Sequence, residues 1–427
     1  MTMAEKVLAR TAGLDEVRAG SYVTARPDRL MCHEAFAGCA LALKRLGIDR
    51  LADPESVYVI LDHFYPAPTA AHARTHAIAR SLVERYGVTH FLGHAGICHQ
   101  VMIEGGHVEP GQLVLGTDSH STTYGALGAA GTGIGTTEMT YVLATGELWF
   151  QVPPTVRVTL RGTPGPALMS KDLVLALAGE HGVDVAQYAA IEFGGPLAAT
   201  MSVSGRATMA NMGVELGAKF ALFEADGVTR RHLSAAGVEA APFGPDPGAR
   251  YARELTLDID GLGPMVAKPH NPGNVAPIEE VAGRRVHQAF LGSCTNARLE
   301  DLAVAAAVLE GRRVAAGTRL LVTPASQAVY LDAVRAGYAE TLLAAGATIT
   351  ASGCGACPGG HTGLLAPGEV CVSSTNRNFV GRMGSPEAEV YLASPAVVAA
   401  AAVAGELCDP RPFWSGTTLG IDAQVPG

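Results

Sequence analysis

The sequence predicts an α/β protein of more than one domain, on three observations. Short apolar runs of strand length alternate with segments of helical pattern, the signature of layered α/β architecture. At 427 residues the chain is too long for one ordinary domain, and a composition 48% hydrophobic and 17% charged supports large cores rather than disorder. Several of the apolar runs end in polar, chemically able side chains, as strands do where an α/β sheet carries its ligands at the carboxyl edge. Three regions separate by chain order, with breaks at the Pro-rich Val152-Pro153-Pro154 and in the Pro/Gly-rich stretch 261–277, giving 1–154, 155–281 and 282–427.

Five strand ends carry the chemistry. Val57-Tyr58-Val59-Ile60-Leu61 leads into Asp62-His63, and Leu113-Val114-Leu115 into Thr117-Asp118-Ser119-His120. Ala289-Phe290-Leu291 leads into Ser293-Cys294-Thr295-Asn296, Ala347-Thr348-Ile349-Thr350 towards Cys354, and Val370-Cys371-Val372 into Ser374-Thr375-Asn376-Arg377. A carboxylate beside an imidazole orients it and favours its charged form, so Asp62-His63 and Asp118-Ser119-His120 are general-acid candidates, with His99 a third. Each histidine alone is also explained as a satisfied structural residue. Glu192, after Ala189-Ala190-Ile191, is a further acid/base candidate, or else an exposed strand-end carboxylate. Arg377 and Arg382 suit carboxylate recognition through paired hydrogen bonds, although surface placement explains arginines equally well.

Cys294 with Cys354-Gly355-Ala356-Cys357 offers three thiolates, enough to hold a cubane iron–sulfur cluster with one iron lacking a protein thiolate. Spacing alone leaves open a redox pair, a zinc site with His361, or unpaired core thiols. Gly131-Thr132-Gly133-Ile134-Gly135 fails as a dinucleotide fingerprint, because Thr136 holds the last glycine position and no acid stands about twenty residues on. It reads as a glycine-rich turn into a helix beginning near Thr136. A net charge of −9 without a run of like charges disfavours nucleic-acid binding. The N-terminal segment has no signal-peptide core, and the apolar Pro395–Ala404 is too short to span a bilayer and reads as a packed helix. Eight cysteines, without the pattern of a secreted disulfide scaffold, fit a reducing, cytoplasmic setting. No internal repeat or low-complexity segment is evident.

Taken together, Gly96–Gln100, Thr117–Gly128, Glu192, Ala207–Ala218, Gly292–Asn296, Cys354–Gly363 and Ser374–Arg382 resemble the aconitase superfamily, and within it the large subunits of 3-isopropylmalate dehydratase and homoaconitase. The resemblance runs from about Met3 to Glu406. It implies three α/β/α domains around a central iron–sulfur site, with one [4Fe–4S] cluster per chain on Cys294, Cys354 and Cys357. It implies a hydro-lyase that dehydrates and rehydrates a 2-alkylmalate, a small di- or tricarboxylic acid, in leucine or related biosynthesis. Asp62-His63 would protonate the departing hydroxyl, and His99, Asp118, His120 and Glu192 would manage the water. Arg377 and Arg382, with Asn376 and Ser119, would hold the substrate. The family's serine base lies in a swivelling domain without counterpart here, which implies a separate small subunit. His33-Glu34-Ala35-Phe36 departs from the pattern, which usually has Asp after His and Thr two residues later, so Phe36 is expected to reshape the pocket. Pro358 stands where an aliphatic residue is common, and Thr117–Ser121 is also slightly atypical. An RNA-binding protein or a non-catalytic cluster sensor is the different-class alternative, opposed by the acidic balance and by the retained Asp-His and Arg residues.

Overall fold

The computed structural model describes residues 1–414; the end of the third expected region, 415–427, lies outside them. In chain order the first elements are α1 Met3–Ala12, β1 Tyr22–Ala25, β2 Arg29–Cys32, α2 Ala35–Arg45, β3 Val57–Ile60, α3 Ala70–Tyr86, β4 His90–Gly93, α4 Cys98–Glu104, β5 Leu113–Gly116, β6 Ala130–Gly133, α5 Thr136–Thr145 and β7 Leu148–Gln151. Then come β8 Thr155–Arg161, α6 Ser170–His181, β9 Ala190–Gly194, α7 Pro196–Thr200, α8 Val203–Met212, β10 Phe220–Phe223, α9 Gly227–Ala235, β11 Arg253–Asp258, β12 Met265–Ala267 and β13 Val275–Pro277. The last are β14 Gln288–Leu291, α10 Leu299–Leu309, β15 Arg319–Val322, α11 Gln327–Arg335, α12 Tyr338–Ala345, β16 Thr348–Ile349, β17 Val370–Ser373, β18 Glu389–Ala393 and α13 Pro395–Ala404. The chain folds as two compact units that do not follow chain order. The first holds 1–159, 186–199 and 210–256; the second holds 160–185, 200–209 and 257 onwards.

The first unit is built on a parallel sheet ordered β4-β3-β2-β5-β6. The chain runs outward from β2 to β3 and β4, then returns to β5 and β6 on the other side of β2. The order therefore reverses beside β2, which is where an open α/β sheet leaves a crevice at its carboxyl edge. Phe36, Leu43, Val57, Val59, Leu82, Leu113, Leu115 and Met139 pack the core. Phe36 is fully buried there, on the apolar face of α2, and so offers nothing to a ligand.

The second unit carries a seven-stranded sheet, β13-β12-β18-β17-β14-β15-β16, whose strands β14 to β18 are mutually parallel. Its order reverses between β14 and β17. Pro395–Ala404 forms α13, with Pro at its first turn, Gly405 at φ 77° after its end and residues through Ala402 buried. It is the packed helix that its alanine-rich, uncharged sequence predicts. All five apolar runs singled out above are strands, and the parallel pairing puts the reactive ends within each unit on one edge.

Gly131 and Gly133 lie within strand β6 rather than in a turn, while α5 begins at Thr136 as expected. The reason is close approach. A Cβ on Gly131 would stand 2.1 Å from the carbonyl oxygen of Ser121, because 3₁₀ turns spanning Ser119–Leu127 lie directly against β6. Gly131→Ala is therefore expected to destabilise the protein by about 1–3 kcal/mol, the range for overpacking a site that cannot yield. Urea denaturation tests this; an unchanged midpoint would contradict the packing argument.

Candidate active site

In the first unit an acid–imidazole network forms at the carboxyl ends of β2 to β5. β3 ends at Ile60, so Asp62 and His63 emerge beside the order reversal. Asp62 is buried; one oxygen lies 2.6 Å from His63 Nδ1 and the other accepts the N–H of Cys98 at 2.7 Å. His63 Nε2 lies 3.1 Å from Asp118 Oδ2. Both nitrogens of His63 thus face carboxylate oxygens, which satisfies the ring only when both donate, in its doubly protonated form.

Asp118 follows β5 and caps the 3₁₀ segment, accepting the N–H of His120 at 2.7 Å. Its Oδ1 also pairs with His99 Nε2 at 2.9 Å. Burial pushes the Asp118 carboxyl up, but hydrogen bonds from His120, His63 and His99 outweigh it and hold the group well below the usual carboxylate range. His99 is buried at the start of α4, its Nδ1 3.1 Å from the Tyr124 hydroxyl. His120 Nε2 meets Glu215 at 2.8 Å, and Ser119 Oγ lies 3.4 Å from His120 Nδ1. Of the six acid/base candidates, Asp62, His63, His99, Asp118 and His120 are brought together.

Glu192 lies elsewhere in the same unit. Fully buried on β9, it accepts the backbone N–H groups of Met3 at 2.6 Å and Ala4 at 3.4 Å, at the N-terminus of α1, and the Tyr251 hydroxyl at 3.2 Å. Burial raises its pKa to about 7, against those hydrogen bonds and the Arg157 charge. Its partners are those of a helix cap, with no histidine among them.

In the second unit Cys294 and the Cys354–Cys357 turn come together around Asn376, at the edge where β14 and β17 part. Cys294 follows β14 in a strained loop: Ser293 has φ 84° and Ala297 φ 77°, left-handed values that such side chains rarely adopt. Cys354 and Cys357 form a tight turn, Cys357 N–H to Cys354 O at 3.2 Å. Gly359, at φ 73°, brings this turn against the main chain of Arg382, where a Cβ would stand 2.5 Å from the carbonyl oxygen. Asn376, buried after β17, donates from Nδ2 to Cys294 Sγ at 3.3 Å, and its Oδ1 accepts from Cys357 Sγ at 3.9 Å. Arg382 Nη2 donates to Cys357 Sγ at 3.6 Å, and Arg377 is half-buried one residue beyond Asn376. His361 bonds Thr362 through Nδ1.

The donor chemistry fits a thiolate-bound iron–sulfur group. An amide and a guanidinium donate to sulfur, as stabilises thiolate ligands. By contrast, burial pushes the Cys32, Cys39 and Cys371 thiols up and keeps them protonated. All eight cysteines are free of disulfides.

Four participants were not among the site residues expected from the sequence. Glu34 accepts the N–H groups of His63 at 3.3 Å and Phe64 at 3.1 Å. Glu215 partners His120 from a distant 3₁₀ turn. Lys171, fully buried, donates to the carbonyls of Ser374 and Thr375 ahead of Asn376. Arg298 holds the carbonyls of Cys294 at 2.8 Å and Thr295 at 2.7 Å.

Comparison with known proteins accords with this chemistry. The model described as "Aconitase family (aconitate hydratase)" matches residues 5–405, and the chain belongs to that family. Its class is hydro-lyase. A relative 49% identical, covering 96% of this chain and 99% of its own, is the "3-isopropylmalate dehydratase large subunit 1" of Methanopyrus kandleri. The "3-isopropylmalate dehydratase large subunit" of Nitratidesulfovibrio vulgaris is 45% identical with the same two coverages. The "Probable methanogen homoaconitase large subunit" of Methanothermobacter thermautotrophicus is 43% identical over 96% of this chain and 98% of its own. Among solved structures, Thermococcus kodakaraensis aconitase X shares the fold with a TM-score of 0.50 at 13% identity, covering 86% of this chain and 89% of that one. No helix among the described residues is long and apolar enough to cross a membrane.

Cys294→Ser, Cys354→Ser and Cys357→Ser are each expected to lose bound iron and acid-labile sulfide, whereas Cys408→Ser keeps both. Iron and sulfide analysis of anaerobically prepared protein checks this; equal loss in all four would remove the ligand assignment.

Proposed function

We propose that this chain is the large subunit of a hydro-lyase that isomerises a 2-alkylmalate such as isopropylmalate, by loss of water and its re-addition. The observation that supports this best is the 49% identity to a 3-isopropylmalate dehydratase large subunit across almost the whole of both chains. Homocitrate-type chemistry is the second reading, favoured by the 43% identity to a probable homoaconitase large subunit. We place the enzyme in the cytoplasm and keep the division 1–154, 155–281 and 282–427 as a proposal about its domains.

One [4Fe–4S] cluster per chain, held by Cys294, Cys354 and Cys357, would supply a Lewis acid for the substrate's hydroxyl and carboxylate. The chain's own residues do the rest. His63, doubly protonated between Asp62 and Asp118, gives the proton that lets the hydroxyl depart as water. Asp118 keeps His63, His99 and His120 in register, with Ser119 beside His120. Arg377 and Arg382 bind substrate carboxylates, with Asn376 ordering the loop between sulfur and guanidinium. Glu192 acts from β9 as a cap on the start of α1 rather than by touching substrate.

Elimination also needs a base for the carbon-bound proton on the face opposite the hydroxyl. We assign it to a serine of a small swivelling subunit that closes over the site and excludes water. The large chain alone is expected to bind the cluster and turn over almost nothing. With the small subunit it should act on isopropylmalate in preference to homocitrate and shorter alkylmalates. Steady-state assay of both preparations against that panel tests the proposal. Full activity of the isolated chain would overturn the split site, and preference for homocitrate would overturn the substrate.

A further inference from the structure

We propose that Glu34 is a positioning residue for the reaction, clamping the main chain of His63 so that its ring spans Asp62 and Asp118. The inference rests on the reading of His63 as the proton donor. Where β3 ends, the chain leaves the ladder, and the N–H groups of His63 and Phe64 need acceptors elsewhere. The two oxygens of Glu34 take one each, Oε2 from His63 at 3.3 Å and Oε1 from Phe64 at 3.1 Å. Oε1 also lies 3.3 Å from His76 Nε2 on α3. One carboxylate thus ties the start of α2 and the middle of α3 to the loop that carries the acid.

The His63 ring is fixed from a second direction by stacking on His33, with centroids 4.2 Å apart and planes 22° from parallel. His33 is itself held on the side chain and main chain of Thr117, next to Asp118: its N–H donates to Thr117 Oγ1 at 3.1 Å and its Nε2 to Thr117 O at 3.1 Å. His33 Nδ1 lies 3.6 Å and His63 Nδ1 3.9 Å from Glu34 Oε2. Burial pushes the Glu34 carboxyl up, but hydrogen bonds from His33 and His76 and the charges of His63 and His33 hold it well below the ordinary range.

The arrangement needs two acceptor oxygens. Glutamine has the same shape but one oxygen, so an NH₂ group would face one of the two main-chain N–H groups and push the loop away. Aspartate keeps both oxygens on a stem shorter by one methylene.

The test uses the assembled, cluster-loaded two-subunit enzyme. Glu34→Gln is expected to lower kcat on the order of ten- to a hundredfold, the scale on which a misplaced reacting group acts. KM should stay within about twofold of wild type, since uniform binding is untouched, and the visible absorbance of the cluster should not change. Glu34→Asp should recover most of the loss. Unchanged kcat in Glu34→Gln, or equal losses in the two variants, would overturn the clamp. His63→Gln is the reference: if it kept full activity, the reading of His63 as donor would fail, whereas a dead His63→Gln beside a fully active Glu34→Gln would sink the clamp alone. Should Glu34→Gln not fold, amide hydrogen exchange of the wild-type peptide 61–65 decides. Protection comparable with β3 supports the clamp, and exchange at the rate of an open loop overturns it.

Discussion

One carboxylate organises the acid–imidazole network of this protein. Asp118 accepts from the ring of His63, the ring of His99 and the main chain of His120, and it is largely but not wholly withdrawn from water. A buried carboxylate is tolerated only when such donors repay its lost hydration. The same donors are the groups we propose as reactive, so the constraint that keeps the charge in place also sets the geometry of three histidines. Asp62 and Glu215 complete the pattern by taking the remaining nitrogens of His63 and His120. Each imidazole thus has a carboxylate partner on at least one ring nitrogen.

The sulfur site follows the same logic with different chemistry. Asn376 stands to Cys294 and Cys357 as Asp118 stands to the imidazoles, one buried polar group contacting two reactive atoms. The loops are held by main-chain carbonyls that find buried cations, Lys171 below Ser374 and Thr375, and Arg298 below Cys294 and Thr295. The left-handed Ser293 and Ala297 persist because those contacts over-determine the turn. Both sites sit where a parallel sheet reverses its strand order, where two loops diverge and side chains from separate strands can converge.

Much of this was legible in the sequence because it is local. An apolar run followed at once by Asp-His, Cys or Asn-Arg declares both the strand and the group it delivers, and all five such runs are strands with their reactive ends on parallel edges. What was hidden depends on partners far away in the chain. Glu215 meets His120 across 95 positions and Lys171 meets Ser374 across 203, and no spacing rule connects them. Glu192 looked like another strand-end acid, yet it caps the first helix, because the middle of β9 lies beside the start of α1. Phe36 looked like a pocket residue, yet helical periodicity turns it into the core. The glycines at 131 and 133 looked like a turn, yet they mark a strand crossed closely by other backbone, a requirement no local pattern shows.

On our proposal Asp118 holds the imidazoles in working order rather than holding the fold or the cluster. The measurement that tests it most directly is the kcat of Asp118→Asn in the reconstituted two-subunit enzyme, with iron content and thermal melting measured on the same preparation. The expected result is a fall in kcat of at least about a hundredfold, the scale of losing a positioned acid–base group, with iron retained and the fold intact. A variant that keeps near-wild-type turnover, or one that loses activity only in proportion to lost iron, would contradict it.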